Sequence, residues 1–197
     1  NIANVKADIM GFDVRTGRKL WTFHTIPREG EPGFESWKGD SAQYTGNAGI
    51  WGPFSADPAL GYVYLSIESA TNDVYGGHRP GNNLYTDSLV CLDIKTGKMI
   101  WYQQLVHHDI WDYDMPPHPI LIDLNVDGKP VKAVVQLTKQ AFAYVFDRTN
   151  GRPVFGWTER PVPQTDVPKE WTAPTQPFPN KPPAFDQQGI THDDLID

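Results

Sequence analysis

The chain has 197 residues, a formal net charge of −7 and 39% hydrophobic residues. That is enough apolar material for a packed core, and too acidic a balance for nucleic acid to be the main partner. No apolar run approaches the roughly 18 residues that cross a bilayer as a helix, and the single cysteine, Cys91, leaves neither an internal disulfide nor a cysteine-built zinc site.

Taken in order, the chain reads as short strands joined by turns. Residues 12–21 (Phe-Asp-Val-Arg-Thr-Gly-Arg-Lys-Leu-Trp) predict strand, tight turn, strand. A polar loop follows over 25–47, then Gly46-Asn47-Ala48-Gly49-Ile50-Trp51-Gly52-Pro53. Residues 61–67 are rich in β-formers and follow a turn at 57–61, and a second loop covers 69–87. Strands are expected over 88–94, 100–105, 119–124, 131–137 and 141–147. Residues 161–183 are proline-rich and predict an extended segment crossing the surface, anchored by Trp171 and Phe178. No long amphipathic helical pattern occurs.

Three of these segments repeat. Asp13-Val14-Arg15-Thr16-Gly17 ends in Trp21, and Asp93-Ile94-Lys95-Thr96-Gly97 ends in Trp101. A degenerate copy, Asp147-Arg148-Thr149-Asn150-Gly151, ends in Phe155. In each, the Asp can hold the turn's amides, Gly supplies positive φ, and the terminal aromatic can anchor the second strand against a neighbouring sheet. Repetition of short strands implies an all-β fold of propeller type. The 80 residues from Asp13 to Asp93 and the 54 from Asp93 to Asp147 exceed the roughly 40–50 of an ordinary blade, so long loops are inserted. One calcium-like pattern, residues 123–128, has Val134 where an EF-hand needs Glu and no flanking helix; it reads as a hairpin turn.

The densest chemistry is His107-His108-Asp109-Ile110-Trp111-Asp112-Tyr113-Asp114. Carboxylates beside large rings can be shielded from water, which makes them candidate bases. In an extended chain Asp112 and Asp114 share a face and Asp109 points the other way, so face alone does not choose between the first two. Asp114 precedes Met115-Pro116-Pro117 and is assigned to the turn; His107 and His108 are expected to orient the loop or the carboxylates rather than bind metal.

These motifs together resemble the pyrroloquinoline quinone (PQQ) dehydrogenases, which are eight-bladed propellers. The Asp-x-x-Thr-Gly-x-x-x-Trp repeats look like their tryptophan-docking motifs. Residues 107–114 are similar to their His-Asp-x-Trp-Asp stretch, Thr138-Lys139-Gln140 to their quinone-contacting stretch, and Thr175-Gln176-Pro177-Phe178 to a segment of the glucose-dehydrogenase-like branch. The resemblance implies a partial propeller over 1–197, about three blades of eight, within a longer enzyme that is inactive when cut to this stretch. It implies PQQ and Ca²⁺ as cofactors, Asp112 as general base, and Lys139 as a cation at the quinone oxygens. It also implies Trp51 as the floor under the cofactor, Thr71 at the cofactor, and Asn72 (Thr71 being the alternative) with Asp112 at the metal, a further Glu ligand lying before Asn1. Gly49 and Gly52 are read as leaving room for ligand approach. Lys at position 139, where the methanol branch has Arg, points to sugars and polyols among alcohol substrates. A quinone or cytochrome acceptor and a periplasmic location, with any membrane association carried elsewhere in the parent, complete the expectation. The competing class is a scaffold propeller that keeps the repeats and has lost the chemistry; the set Trp51, Asp112 and Lys139 separates the two.

Overall fold

The computed structural model describes residues 5–195. The described strands form four antiparallel groups. The first pairs β1 (Ile9–Phe12) with β2 (Lys19–Phe23). The second is a four-stranded meander of β3 (Ser55–Asp57), β4 (Tyr62–Ile67), β5 (Ser88–Asp93) and β6 (Met99–Gln104). The third holds β7 (Ile120–Val126), β8 (Lys129–Leu137) and β9 (Ala143–Asp147), and the last pairs β10 (Trp157–Pro161) with β11 (Thr175–Pro179). Helix among the described residues is limited to one α-turn, Ser41–Tyr44, and two 3-10 turns.

The repeats fold as their residues require. Asp13 Oδ1 accepts the amides of Arg15 and Thr16 and the Thr16 hydroxyl at 2.8–3.0 Å, and Asp93 does the same for Lys95 and Thr96. Gly17, Gly97 and Gly151 follow at φ of 69°, 68° and 74°, where a side chain is strained. Each indole then reaches the next repeat. Trp21 Nε1 donates to the Ile94 carbonyl at 3.1 Å and Trp101 Nε1 to the Arg148 carbonyl at 3.2 Å. Both acceptors sit one residue after the next repeat's Asp. A Cβ on Gly97 would lie 2.5 Å from the Trp21 ring, and one on Gly151 2.6 Å from Trp101. Gly is therefore needed twice over, for its φ and for the ring that lies on it.

The four-stranded sheet is buried on both faces, which is why β4 and β5 are almost continuously apolar. Val63, Leu65, Ile67, Val90 and Leu92 pack toward β1, β2 and the loop carrying Trp37. Tyr64, Leu89, Cys91 and Trp101 pack toward Val134, Tyr144 and Phe146 of the next sheet. Arg148 joins the same two sheets: its guanidinium meets Asp57 of β3 at 2.8 Å and Asp123 of β7 at 2.7 Å.

Three details depart from the sequence reading. The third repeat makes its turn, but residues 154–155 are not a regular strand; Pro153 offers no N–H, and the return is an isolated Phe146–Pro153 bridge with a Val154 N–H bond to the Val145 carbonyl at 2.8 Å. The proline-rich stretch 161–183 is exposed in its first half, yet residues 175–179 form β11. Strands β3 and β10 were not expected at all. Residues 127–128, both at positive φ, form the two-residue hairpin between β7 and β8.

The contrast between two glycines gives a test. Gly128 has positive φ with nothing within 4 Å of its missing Cβ, whereas Gly151 carries the Trp101 ring. Gly128→Ala should cost about 1–2 kcal/mol of backbone strain. Gly151→Ala should add roughly 1–3 kcal/mol of overpacking to that. Thermal melting of the full-length protein should show the larger drop for Gly151→Ala; equal drops would mean that the indole does not lean on this residue.

Candidate active site

Because neighbouring strands alternate in direction, the loops after β2, β4, β6, β8 and β10 emerge on one face, and they carry the candidate residues. Trp51 lies on the loop after β2, Thr71 and Asn72 on that after β4, Asp112 after β6, Lys139 after β8, and Glu170 after β10.

The structure brings Asp112 and Lys139 together. Lys139 Nζ lies 3.0 Å from Asp112 Oδ2 and 3.0 Å from Asp114 Oδ2. Asp114 also accepts the Ser69 amide at 2.9 Å. It is thus an ion-pair partner of Lys139 rather than only a turn residue, a correction to the sequence reading. Burial opposes ionisation of Asp114, but the Ser69 amide and Lys139 outweigh it and hold its pKa below the usual range. For Lys139, burial is likewise outweighed by the two carboxylates, which raise its pKa. Asp112 sits at φ 59°, and its amide donates to the Asp73 carbonyl at 3.2 Å. The Asp112 loop and the Asn72 segment are stitched side by side. The Trp111 ring stacks on Tyr113 with centroids 5.7 Å apart.

Asp109 is buried, and because the stretch is not extended, its carboxylate and that of Asp114 both meet Ser69. Its carboxylate accepts the amides of Trp111 and Tyr113 at 3.0 and 2.8 Å and a short bond from the Ser69 hydroxyl. Ser69 Oγ also lies 3.0 Å from Asp87 Oδ1. Burial, with the Asp109 carboxylate beside it, pushes Asp87 well above the ordinary carboxylate range. Burial raises Asp109 too, against the opposing pull of Ser69 and the two amides.

His108 fastens the loop. It is 0% exposed and stacks on Trp171 at 4.4 Å between centroids. Its Nδ1 meets the Gly81 carbonyl at 2.9 Å, and its Nε2 meets Glu170 Oε1 at 3.1 Å, so a proton lies between the last two. His107 Nδ1 meets Gln104 at 2.9 Å, and Gln176 accepts the His107 amide and donates to its carbonyl.

Trp51 stands apart: its side chain is 60% exposed and forms no ring pair among the described residues. The glycines beside it do not leave room for a ligand. A Cβ on Gly49 would lie 2.7 Å from Ala7, and one on Gly52 2.4 Å from the Pro116 carbonyl. They admit neighbouring protein chain, and the expectation for them is corrected. Thr71 is buried with its hydroxyl unpartnered, while Asn72 is exposed and only its carbonyl is engaged, by Arg79. Two acidic residues absent from the sequence reading complete the cluster. Burial raises the Glu68 pKa, with the Gly49 amide opposing and Asp114, Asp73 and Asp112 adding to the rise. Burial raises Asp73 in the same way, helped by Asp112 and Asp114. Among the described residues, no three His, Cys, Asp or Glu side chains converge as a complete metal cage.

Known proteins share this arrangement of strands. The quinoprotein glucose dehydrogenase of Escherichia coli is 39% identical over 172 residues, covering 86% of this chain and 21% of that protein. The crystal structure of the quinohemoprotein alcohol dehydrogenase from Comamonas testosteroni matches with a TM-score of 0.72 and 26% identity over 90% of this chain and 28% of the other. A europium-containing methanol dehydrogenase matches with a TM-score of 0.71 and 27% identity over 77% of this chain and 29% of the other. The chain thus spans between a fifth and a third of the length of these relatives. The family model for the β-propeller domain of PQQ glucose/ethanol/alcohol dehydrogenases matches residues 1–197, and the chain belongs to that family.

Proposed function

We propose that this chain supplies one side of the active site of a PQQ- and calcium-dependent dehydrogenase acting on a sugar or polyol, within the wider class of alcohols. The observation that carries the proposal is the Lys139 ammonium held at 3.0 Å from both Asp112 and Asp114. A scaffold gains nothing from such a cluster on an open face. The glucose dehydrogenase relative and the lysine at position 139 favour sugars and polyols over methanol. A quinone or cytochrome acceptor and a periplasmic setting belong to the same reading.

The residues suit the two absent groups. Trp51 offers an exposed indole face on which a flat fused ring can stack. The buried Thr71 hydroxyl has hydrogen-bonding capacity that no protein atom uses. Four carboxylates, Glu68, Asp73, Asp112 and Asp114, gather around a single nearby lysine, and Asp112 and Asp114 help raise the pKa of Glu68 and Asp73. That excess of negative charge and oxygen ligands suits a hard divalent cation. Asn72 and Asp112 are its proposed ligands here, the rest of the shell coming from elsewhere in the parent protein. The metal in the europium methanol dehydrogenase supports a metal in this fold.

Bound PQQ supplies the electrophile that takes hydride from the carbinol carbon. Asp112 removes the hydroxyl proton, which requires it ionised and within hydrogen-bond reach of the substrate. Lys139, 3.0 Å from the Asp112 carboxylate, offers a positive charge where negative charge grows during turnover. Asp114, fixed by the Ser69 amide, keeps the ammonium from swinging away.

In the full-length enzyme, Asp112→Asn should preserve the fold and much of the PQQ binding while turnover falls by roughly 10²-fold or more, as for loss of a general base. Normal turnover at saturating PQQ and Ca²⁺ would transfer the role to another group.

The carboxylate excess has its own pH signature. Glu68 has a raised folded pKa, so the stability it contributes is full below its unfolded pKa and is lost as pH rises through the folded one. Glu68→Gln keeps an acceptor for the Gly49 amide and removes the charge. In metal-free, full-length protein it should raise Tm at about pH 8, with the gain vanishing toward about pH 4. A gain that does not change with pH would exclude electrostatic crowding at this site.

A further inference from the structure

Arg79 is the largest side chain that the fold buries completely, at 0% exposure. An arginine is rarely hidden unless its bonds are specific, since its charge loses all hydration. Its bonds here are not to a carboxylate. One terminal nitrogen, Nη2, donates to the Asn72 carbonyl at 2.9 Å and to the Asp109 carbonyl at 2.5 Å. The other, Nη1, donates to Asn83 Oδ1 at 2.8 Å, while Nε is buried without a partner. The guanidinium is thus placed to satisfy two loops even though its own hydrogen bonding stays incomplete. Asn83 returns a bond from Nδ2 to the Arg79 carbonyl at 2.8 Å, which locks the side chain against its own backbone.

The two gripped carbonyls belong to the residues that matter. Asn72 lies on the proposed metal side and Asp109 starts the turn that ends in Asp112. The next link, the Asp112 amide on the Asp73 carbonyl at 3.2 Å, runs parallel to the arginine bridge. We propose that Arg79 is a positioning residue that sets the spacing between Asn72 and the Asp112 base by holding the Asn72 and Asp109 carbonyls on one terminal nitrogen, Nη2, while Nη1 is anchored on Asn83. This rests on the reading of Asn72 and Asp112 given above. Lysine cannot replace it: a single ammonium has no rigid fork to span three acceptors.

The test uses full-length protein. Calcium affinity is measured on the apoprotein, and kcat and KM after reconstitution with saturating PQQ and Ca²⁺. Arg79→Lys should fold, bind Ca²⁺ roughly 10- to 100-fold more weakly and lose kcat by a similar factor, the range for removing a group that orients a metal ligand. Substrate KM should stay close to wild type, which a general loosening of the fold would not allow. Folded Arg79→Lys with unchanged calcium affinity and kcat overturns the proposal. If Arg79→Lys does not fold, Asn83→Ala releases the third anchor and leaves both carbonyls in place. It should shift calcium affinity and kcat in the same direction by less, and no shift in either overturns the proposal. Asn72→Ala and Asp112→Asn serve as controls. If neither changes calcium affinity or turnover, the underlying site assignment fails; if they act and Arg79→Lys does not, only the role of Arg79 falls.

Discussion

The contact between Lys139 and the pair Asp112 and Asp114 is the point where the loops of this face are tied to one another. The lysine comes from the loop after β8, the aspartates from the loop after β6, and the Ser69 amide that fixes Asp114 from the loop after β4. Three chain segments from two sheets therefore meet around one ammonium. The carboxylates outnumber it, so the site keeps a net negative charge that a divalent cation can balance. Beneath this layer, Arg79, His108 and Glu170 hold the same loops from the buried side; Glu170 is only 2% exposed in its side chain. Burial raises the Glu170 pKa, but the Gly76 amide, His108 and the Trp171 amide outweigh it and keep it low. The proton held between Glu170 and His108 anchors the buried ring, which in turn fixes where the Asp109–Asp112 turn starts.

The sheets below supply the rigidity. The first two repeats each end in a ring that lies on the glycine of the next, so the position of one sheet sets that of its neighbour. Arg148 adds a charged clamp at 2.8 Å to Asp57 and 2.7 Å to Asp123. With both faces of the central sheet covered, the loops have a fixed platform, as a site built on several separate loops requires.

Much of the fold was legible because it depends on local chemistry. An Asp, a Thr and a Gly at fixed spacing define a turn whatever surrounds them, and the strands between such turns alternate or run apolar as their burial demands. The third repeat was misread in its second half because Pro153 removes a ladder donor, a local fact outweighed by the analogy with the first two copies. The strand at 175–179 was hidden by proline, which usually signals its absence. At the site, Asp112 was singled out from its dense local stretch and Lys139 through resemblance, while Asp114 was assigned to the turn because its contact with Lys139 spans 25 residues. Glu68, Ser69, Arg79, Asp87 and Glu170 were missed because their roles come from contacts between distant loops. No spacing in the chain announces that Glu170 meets His108, 62 residues away.

A double-mutant cycle on turnover tests most directly whether Lys139 and Asp112 act as one unit. Asp112→Asn, Lys139→Gln and the double variant would be compared in the full-length enzyme at saturating PQQ and Ca²⁺. Residues that work together give strongly non-additive losses. The double variant is expected to be little slower than the worse single variant. Losses that multiply would show that lysine and aspartate contribute independently, and the ion pair at the centre of this site would then not be the catalytic arrangement.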